Sequence, residues 1–294
     1  MAEKKKKADV YQIVTDQILE QLEKGTVPWR KPWASVGLPA NVVSGKAYQG
    51  INLLLLGFQS YPTQYWCTFK QAKAMGGNVK KGEKSSIVTF WKFLEKKQDD
   101  GTVKKIPMLR YYRVFNIAQC ENLKLPKRAQ PTTEPAEFSP IEAAEAMVAG
   151  WDDCPEIGHG GDRAFYVPSD DRIQMPNRED FTSPDTYYST LFHEMAHSTG
   201  HSSRLDRGLD TKLAPFGSED YSKEELVAEF ASAFLSAQTG IDQSQLQQSA
   251  AYIEGWSRKL KDDPKLLIQA SSKAKKAATL IAGEPAEAET QKAA

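Results

Sequence analysis

The sequence predicts an α+β chain in two parts: a small α+β unit over residues 1–128 and a mainly helical unit over residues 139–283. Three observations carry that reading. The chain has 294 residues, more than the roughly 100–200 typical of one domain. Its net charge of zero hides a division: residues 1–128 hold 23 Lys and Arg against 10 Asp and Glu, and residues 129–294 hold 15 against 28. The sign changes across residues 125–140, LPKRAQPTTEPAEFSP, where four prolines in sixteen residues preclude a helix or a central strand. A Pro-rich linker is placed at 129–138, and a frayed tail rich in Ala, Glu and Lys at 284–294.

The elements follow in order. Val10, Ile13, Val14, Ile18 and Leu22 recur at helical spacing, with Gly25 as a stop. Short helices are expected near 51–58 and 69–75, the second ended by Gly76-Gly77. Strands are expected over 86–93 and 108–118, joined by the polar loop at Asp100-Gly101. In the second half Ser139, Pro140 and Glu142 make a helix-starting capping box. Two short strands are expected over 164–167 and 173–175. A helix opens at Ser183-Pro184 and closes at Gly200, another runs from Ser222 to Gln238, and two more span 244–260 and 264–282.

Composition excludes several classes. The longest apolar run, Leu53-Leu54-Leu55-Leu56, is far short of the roughly 20 residues of a membrane span, and no apolar stretch follows the N-terminal lysines as in a secretory signal. Three cysteines without a CxxC pair argue against a disulfide framework or a Cys-based zinc site, and a reducing cytoplasm is the expected setting.

The chemistry-bearing motif is His193-Glu194-Met195-Ala196-His197, an HExxH on a helix. The i,i+4 spacing puts both imidazoles on one face, where they can bind one Zn²⁺ or another divalent metal such as Mn²⁺, at ~2.0–2.1 Å for zinc. Glu194, about 100° around the helix, is placed to act as general base toward a water activated by the metal. A catalytic zinc needs a third protein ligand. The extended HExxHxxGxxH pattern fails, because Ser203 stands where its last histidine belongs and His201 comes two residues early. The alternative is a glutamate of the following helix. Glu225 can be accounted for as a capping box with Ser222, whereas Glu229 sits among Leu226, Val227, Ala228, Phe230 and Ala231 and needs a cation if buried. Glu229 is therefore the favoured ligand, with Glu225 as the alternative or as a group orienting the ligands. The small Ser232 and Ala233 would let another helix approach. The segment 160–167 ahead of the motif reads either as an edge that could pair with an extended peptide or as a structural hairpin.

The basic half interleaves aromatics with cations: Trp29, Arg30, Lys31 and Trp33; Lys46 and Tyr48; Trp66 and Lys70; Lys80, Lys81 and Lys84. Single-stranded nucleic acid is bound by stacking bases on aromatics while Lys and Arg follow the phosphates. For Trp29, Trp33, Trp66 or Trp91 taken singly, a place in the core is the favoured reading, because large aromatics carry core energetics.

Thr26-Val27-Pro28-Trp29-Arg30-Lys31-Pro32-Trp33, Tyr48-Gln49-Gly50-Ile51-Asn52, Trp66-Cys67-Thr68-Phe69-Lys70-Gln71-Ala72, Gly77-Asn78-Val79-Lys80-Lys81-Gly82-Glu83-Lys84 and Val114-Phe115-Asn116 resemble the N-terminal domain of ArdC-type antirestriction proteins, a domain also found at the front of some plasmid primases. The second half, through Asp162, Pro176, the HExxH and the run ending at Glu229, resembles the zincin-like metallopeptidase domain that follows it in that family. The resemblance implies single-stranded DNA binding and protection of incoming conjugative DNA from host restriction. A restriction enzyme or another DNA-bound protein is the further partner it leaves open, as the target of a DNA-recruited metalloprotease.

Overall fold

In a computed structural model that describes residues 9–30, 37–57, 59, 61–98, 102–130, 139–211, 218–244, 246 and 249–283, the first element is α1 (Val10–Glu23). Asp9 caps it by accepting the Tyr11 N–H at 3.0 Å, and Gly25 takes the left-handed φ of 75° just beyond its end. A 3-10 turn (Pro28–Arg30) precedes β1 (Ala40–Asn41), α2 (Ile51–Gly57), β2 (Tyr65–Cys67), α3 (Phe69–Ala74) and β3 (Asn78–Val79). Two long strands follow, β4 (Ser86–Lys97) and β5 (Val103–Asn116), and then β6 (Cys120–Glu121). The long strands form an antiparallel ribbon, in register from Ser86 opposite Val114 to Lys97 opposite Val103. With β1 and β2 they make a sheet of order β1-β2-β5-β4, and β3 pairs with β6.

The ribbon outruns the 86–93 and 108–118 expected from sequence. In its distal part, residues 91–95, 97 and 103–107 all have exposed side chains. With no buried face there, nothing imposes the period-two alternation by which a strand is recognised. Pro107 is tolerated because β5 pairs on its other side only at Phe115 and Asn116.

The second half opens with α4 (Pro140–Ala149), capped by Ser139. Three short strands, β7 (Glu156–His159), β8 (Phe165–Val167) and β9 (Arg172–Met175), form a sheet of order β7-β9-β8 with β8 at an edge. The strand β7 has no counterpart in the sequence reading, since Glu156-Ile157-Gly158-His159 is too short and mixed to show a pattern. The helices are α5 (Pro184–Ser198), α6 (Glu219–Thr239), α7 (Ala250–Asp262) and α8 (Leu266–Ile281). The start of α6 corrects the expected cap. Ser218 caps it by accepting the Tyr221 N–H at 3.2 Å, and Ser222 is a buried interior residue. The capping-box account of Glu225 falls with that shift.

The charge boundary is not a boundary of the core. One hydrophobic cluster joins Val14, Ile18, Leu22 and Trp29 of the first half to Phe192, Phe230, Phe234, Trp256, Leu260 and Leu267 of the second. The helix α6 runs through it, buried on all sides along 226–237. The Trp29 ring lies 5.2 Å from Phe230 and 6.0 Å from Trp256, edge to face, and its indole N–H donates to the Tyr252 hydroxyl at 3.2 Å. The two units therefore share part of one core. Each half has an apolar face that only the other covers. Residues 131–138 of the expected linker and the tail 284–294 lie outside the described residues. No helix among the described residues is long and apolar enough to cross a membrane.

Candidate metal centre

The helix α5 delivers His193, Glu194 and His197. Ser183 caps it by accepting the Thr186 N–H at 3.2 Å, Pro184 stands in its first turn, and Tyr187, Leu191, Phe192, Met195 and Ala196 are buried against the core. That packing fixes the rotation of the helix and turns the two histidines to one side. Their Nε2 atoms lie 3.1 Å apart. Two nitrogens held at ~2.0–2.1 Å by one tetrahedral ion would lie about 3.3 Å apart, so the pair fits a small divalent metal.

Glu225 completes the donor set. Its carboxylate oxygens stand 3.3 Å from His197 Nε2 and 3.7 Å from His193 Nε2, and the three donor atoms lie within 4.8 Å of one another. The sequence preference for Glu229 is corrected. Glu229 is buried, as its apolar neighbours suggested, but its cation is Arg30. The guanidinium donates to Glu229 from Nε at 3.1 Å and from Nη2, and it lies 4.1 Å from the centre of the Tyr252 ring. The Tyr252 hydroxyl donates to Glu229 at 2.7 Å. One helical turn earlier, Glu225 faces the imidazoles instead. Ser232 and Ala233 do admit a neighbouring helix: the Ser232 hydroxyl donates to the Ser189 carbonyl of α5 at 2.9 Å.

A further layer holds His197. Glu224 lies 3.5 Å from its Nδ1, and Arg207 donates to Glu224 at 2.9 and 2.6 Å. Arg207 also donates to the Ala196 carbonyl and the Thr199 hydroxyl, each at 2.8 Å. This is the carboxylate–histidine arrangement that fixes an imidazole's tautomer in metal sites. Gly200 lets the returning loop close, since a Cβ there would meet Leu209 Cδ1 at 2.6 Å. The sequence reading missed Glu224 and Arg207. Glu224 could have been suspected beside Glu225, but nothing in the sequence points to Arg207.

Charge in the cluster is strongly coupled. Burial opposes a cation at His197, but hydrogen bonds to Glu224 and Glu225 outweigh it and raise its pKa to about 10. His193 is raised as well, against its burial, by its bond to Glu225. Glu225 is itself burdened by burial, yet the two imidazoles hold its carboxyl well below the usual range. Burial and then the charge of Glu225 push the Tyr221 phenol up to about 12. Such a concentration of negative charge around two imidazoles is what a divalent cation would neutralise.

The cluster lies at an open cleft of about 960 Å³, lined by His193, Glu194, His197, Tyr221 and Glu225 and also by Ala164, Phe165 and Tyr166. Phe165 and Tyr166 belong to the edge strand β8. Tyr166 donates to Asp171 at 2.8 Å, and Asp171 also pairs with Arg204. His201 is turned elsewhere, bonded to Ser203 at 2.8 Å.

The residues expected to meet DNA divide sharply. Trp29 and Trp66 are core residues, 1% and 2% exposed, and Tyr48 is half-buried against the core, so none of them presents a free ring to a base. Arg30 is engaged by Glu229 and offers no charge to phosphate. Lys46, Lys70, Lys80, Lys81 and Lys84 are exposed, while Lys31 and Trp33 lie outside the described residues. The exposed aromatics of this half are Phe69 at the start of α3, 51% exposed, and Trp91, Phe93, Tyr111 and Tyr112 of the ribbon.

The N-terminal domain of the anti-restriction factor ArdC matches residues 8–115, and a zincin-like metallopeptidase domain matches residues 142–273. Two DNA primases TraC of Escherichia coli are 39% and 40% identical over 94% and 92% of this chain, which spans 27% and 20% of their length. The metal-free crystal structure of the antirestriction protein ArdC from the R388 plasmid is 39% identical, covers 93% of this chain and 97% of its own, and superposes with a TM-score of 0.74. The Mn(II)-bound structure of that protein superposes with a TM-score of 0.72 at 38% identity.

Proposed function

This chain belongs to the ArdC antirestriction family, and on that premise we propose that it binds single-stranded DNA in the cytoplasm and shields incoming conjugative DNA from host restriction, with a metallopeptidase centre in its second half. The observation that carries the DNA reading is the charge division. The half with 23 basic and 10 acidic residues keeps Lys46, Lys70, Lys80, Lys81 and Lys84 in solvent, as a phosphate-following surface requires.

His193, His197 and Glu225 are the proposed ligands of one divalent ion, zinc or manganese, which when bound would supply Lewis acidity at the cleft floor. The chain's own part is then defined. The edge of β8 would pair with an extended peptide and present its carbonyl to the floor. Glu194 would take the proton of the attacking water and return it to the leaving amine. Tyr221, whose phenol is protonated at neutral pH, would offer an O–H donor in the same cleft. Glu224 would hold His197 in orientation.

The completeness of this cleft favours a second reading, a metalloprotease recruited to DNA to cut a DNA-bound protein such as a restriction enzyme. The substitution Glu194→Ala separates the two in a conjugal transfer assay with restricting and non-restricting recipients. The expected outcome is retained protection with metal content and DNA affinity unchanged, although any peptidase rate falls ~10²–10⁴-fold. Lost protection with metal and DNA binding intact would make the protease reading the correct one.

A further inference from the structure

We propose that the single-stranded DNA lies on one face of the β4–β5 ribbon, with its bases stacked on Tyr111, Trp91 and Phe93. The proposal rests on the DNA-binding reading above and names the surface responsible. In the ribbon's register Tyr111 stands opposite Thr89, Trp91 opposite Leu109 and Phe93 opposite Pro107. Residues directly opposite, and residues two apart on one strand, share a face. The three rings therefore form a row along one side, 37%, 43% and 49% exposed.

The base of the ribbon explains why these rings are not core. Ile87, Val88, Leu109 and Val114 are buried and anchor the two strands to the body of the protein. Beyond Leu109, where Phe93 stands, both faces lie in solvent; Tyr111 sits nearer the body, opposite the buried Thr89, with its own ring still 37% exposed. A contiguous row of exposed aromatics gains nothing from packing and marks a binding face.

Charge decides the occupant. The two strands carry seven Lys or Arg against one Glu. On the aromatic face Arg113 flanks the row toward the body, and Lys105 and Lys97 flank it toward the tip, with Glu95 as the single acid. Rings alternating with cations along an extended surface form the stacking platform that single strands use, with phosphates tracked by the flanking charges. A second copy of this chain would bring the same excess of positive charge to the same place, which opposes edge-to-edge pairing.

The test uses the full-length protein and a labelled oligodeoxythymidylate, read by fluorescence anisotropy. The double variant Trp91→Ala, Phe93→Ala should bind at least about tenfold more weakly, since each stacked base is worth ~1–3 kcal/mol. Its thermal midpoint and the salt dependence of its residual binding should be preserved, because the phosphate contacts remain. The aromatic-conserving variant Trp91→Phe should stay within about twofold of the parent. If the parent binds the oligonucleotide and the alanine variant binds equally well, the surface assignment is wrong and the DNA reading stands. If the parent does not bind it, the reading beneath the proposal falls. If the alanine variant changes self-association by light scattering and leaves DNA affinity alone, the ribbon joins copies and the proposal is overturned.

Discussion

Glu225 and Glu229 stand one turn apart on the same helix and meet opposite surroundings. Glu225 looks onto two imidazoles and an open cleft. Glu229 is enclosed with the guanidinium of Arg30 and the hydroxyl of Tyr252. Apolar sequence neighbours identified Glu229 as a buried carboxylate, and it is one. Burial, however, states only that a carboxylate needs a cation, not which cation. For Glu229 it comes from a 3-10 turn 199 residues earlier in the chain, and for Glu225 it is the imidazoles and the ion they would hold.

The contrast can be broken by cutting the chain. Residues 1–128 expressed alone would expose Ile18, Leu22 and Trp29 and leave Arg30 without Glu229, so they should show no cooperative thermal transition by circular dichroism. A sharp melt would mean that the halves are separately stable. The next largest effect separates the carboxylates themselves. The substitution Glu229→Ala strands a buried guanidinium and should cost about 3–5 kcal/mol in denaturant unfolding, with metal content per folded molecule retained. Its counterpart Glu225→Ala should reverse the pattern, with metal content falling from about one ion per chain toward none by elemental analysis and little stability lost in the presence of a chelator. Equal metal loss in both variants would return Glu229 to the ligand set. A smaller effect is expected one layer out: Glu224→Ala should weaken metal affinity about 10–100-fold in a competition titration, because His197 loses the group that orients it. The smallest is Trp91→Ala, which in unfolding experiments should stay within about 0.5 kcal/mol of the parent because its ring stands in solvent.

Much of this architecture is legible without coordinates, and the failures share a cause. The HExxH helix, its Ser-Pro start and the helices after it follow from local periodicity and capping, which are properties of neighbouring residues. The start of α6 was misplaced by one turn because Ser218 and Ser222 are both competent caps, and choosing between them depends on packing. The stacking role assigned to Trp29 and Trp66 failed because composition does not distinguish an aromatic that anchors a core from one that meets a ligand. Trp91 shows the converse, an aromatic as readable as a core residue that stands in solvent. The tertiary links are invisible locally: the Arg30–Glu229 pair, the Trp29–Tyr252 bond and the Arg207 support of Glu224 join positions far apart in the chain.

The shared core also limits how such a sequence can be inherited. A proline-dense stretch between two regions of opposite charge looks like a natural joint for recombination. A crossover there would set Ile18, Trp29 and Arg30 from one parent against Phe230, Trp256 and Glu229 from another. Unless both parents agree at those positions, the hybrid carries a mismatched interior and an unneutralised buried charge. Reassortment should therefore move residues 10–281 as one block, and divergence on either side of the contact should be answered by change on the other.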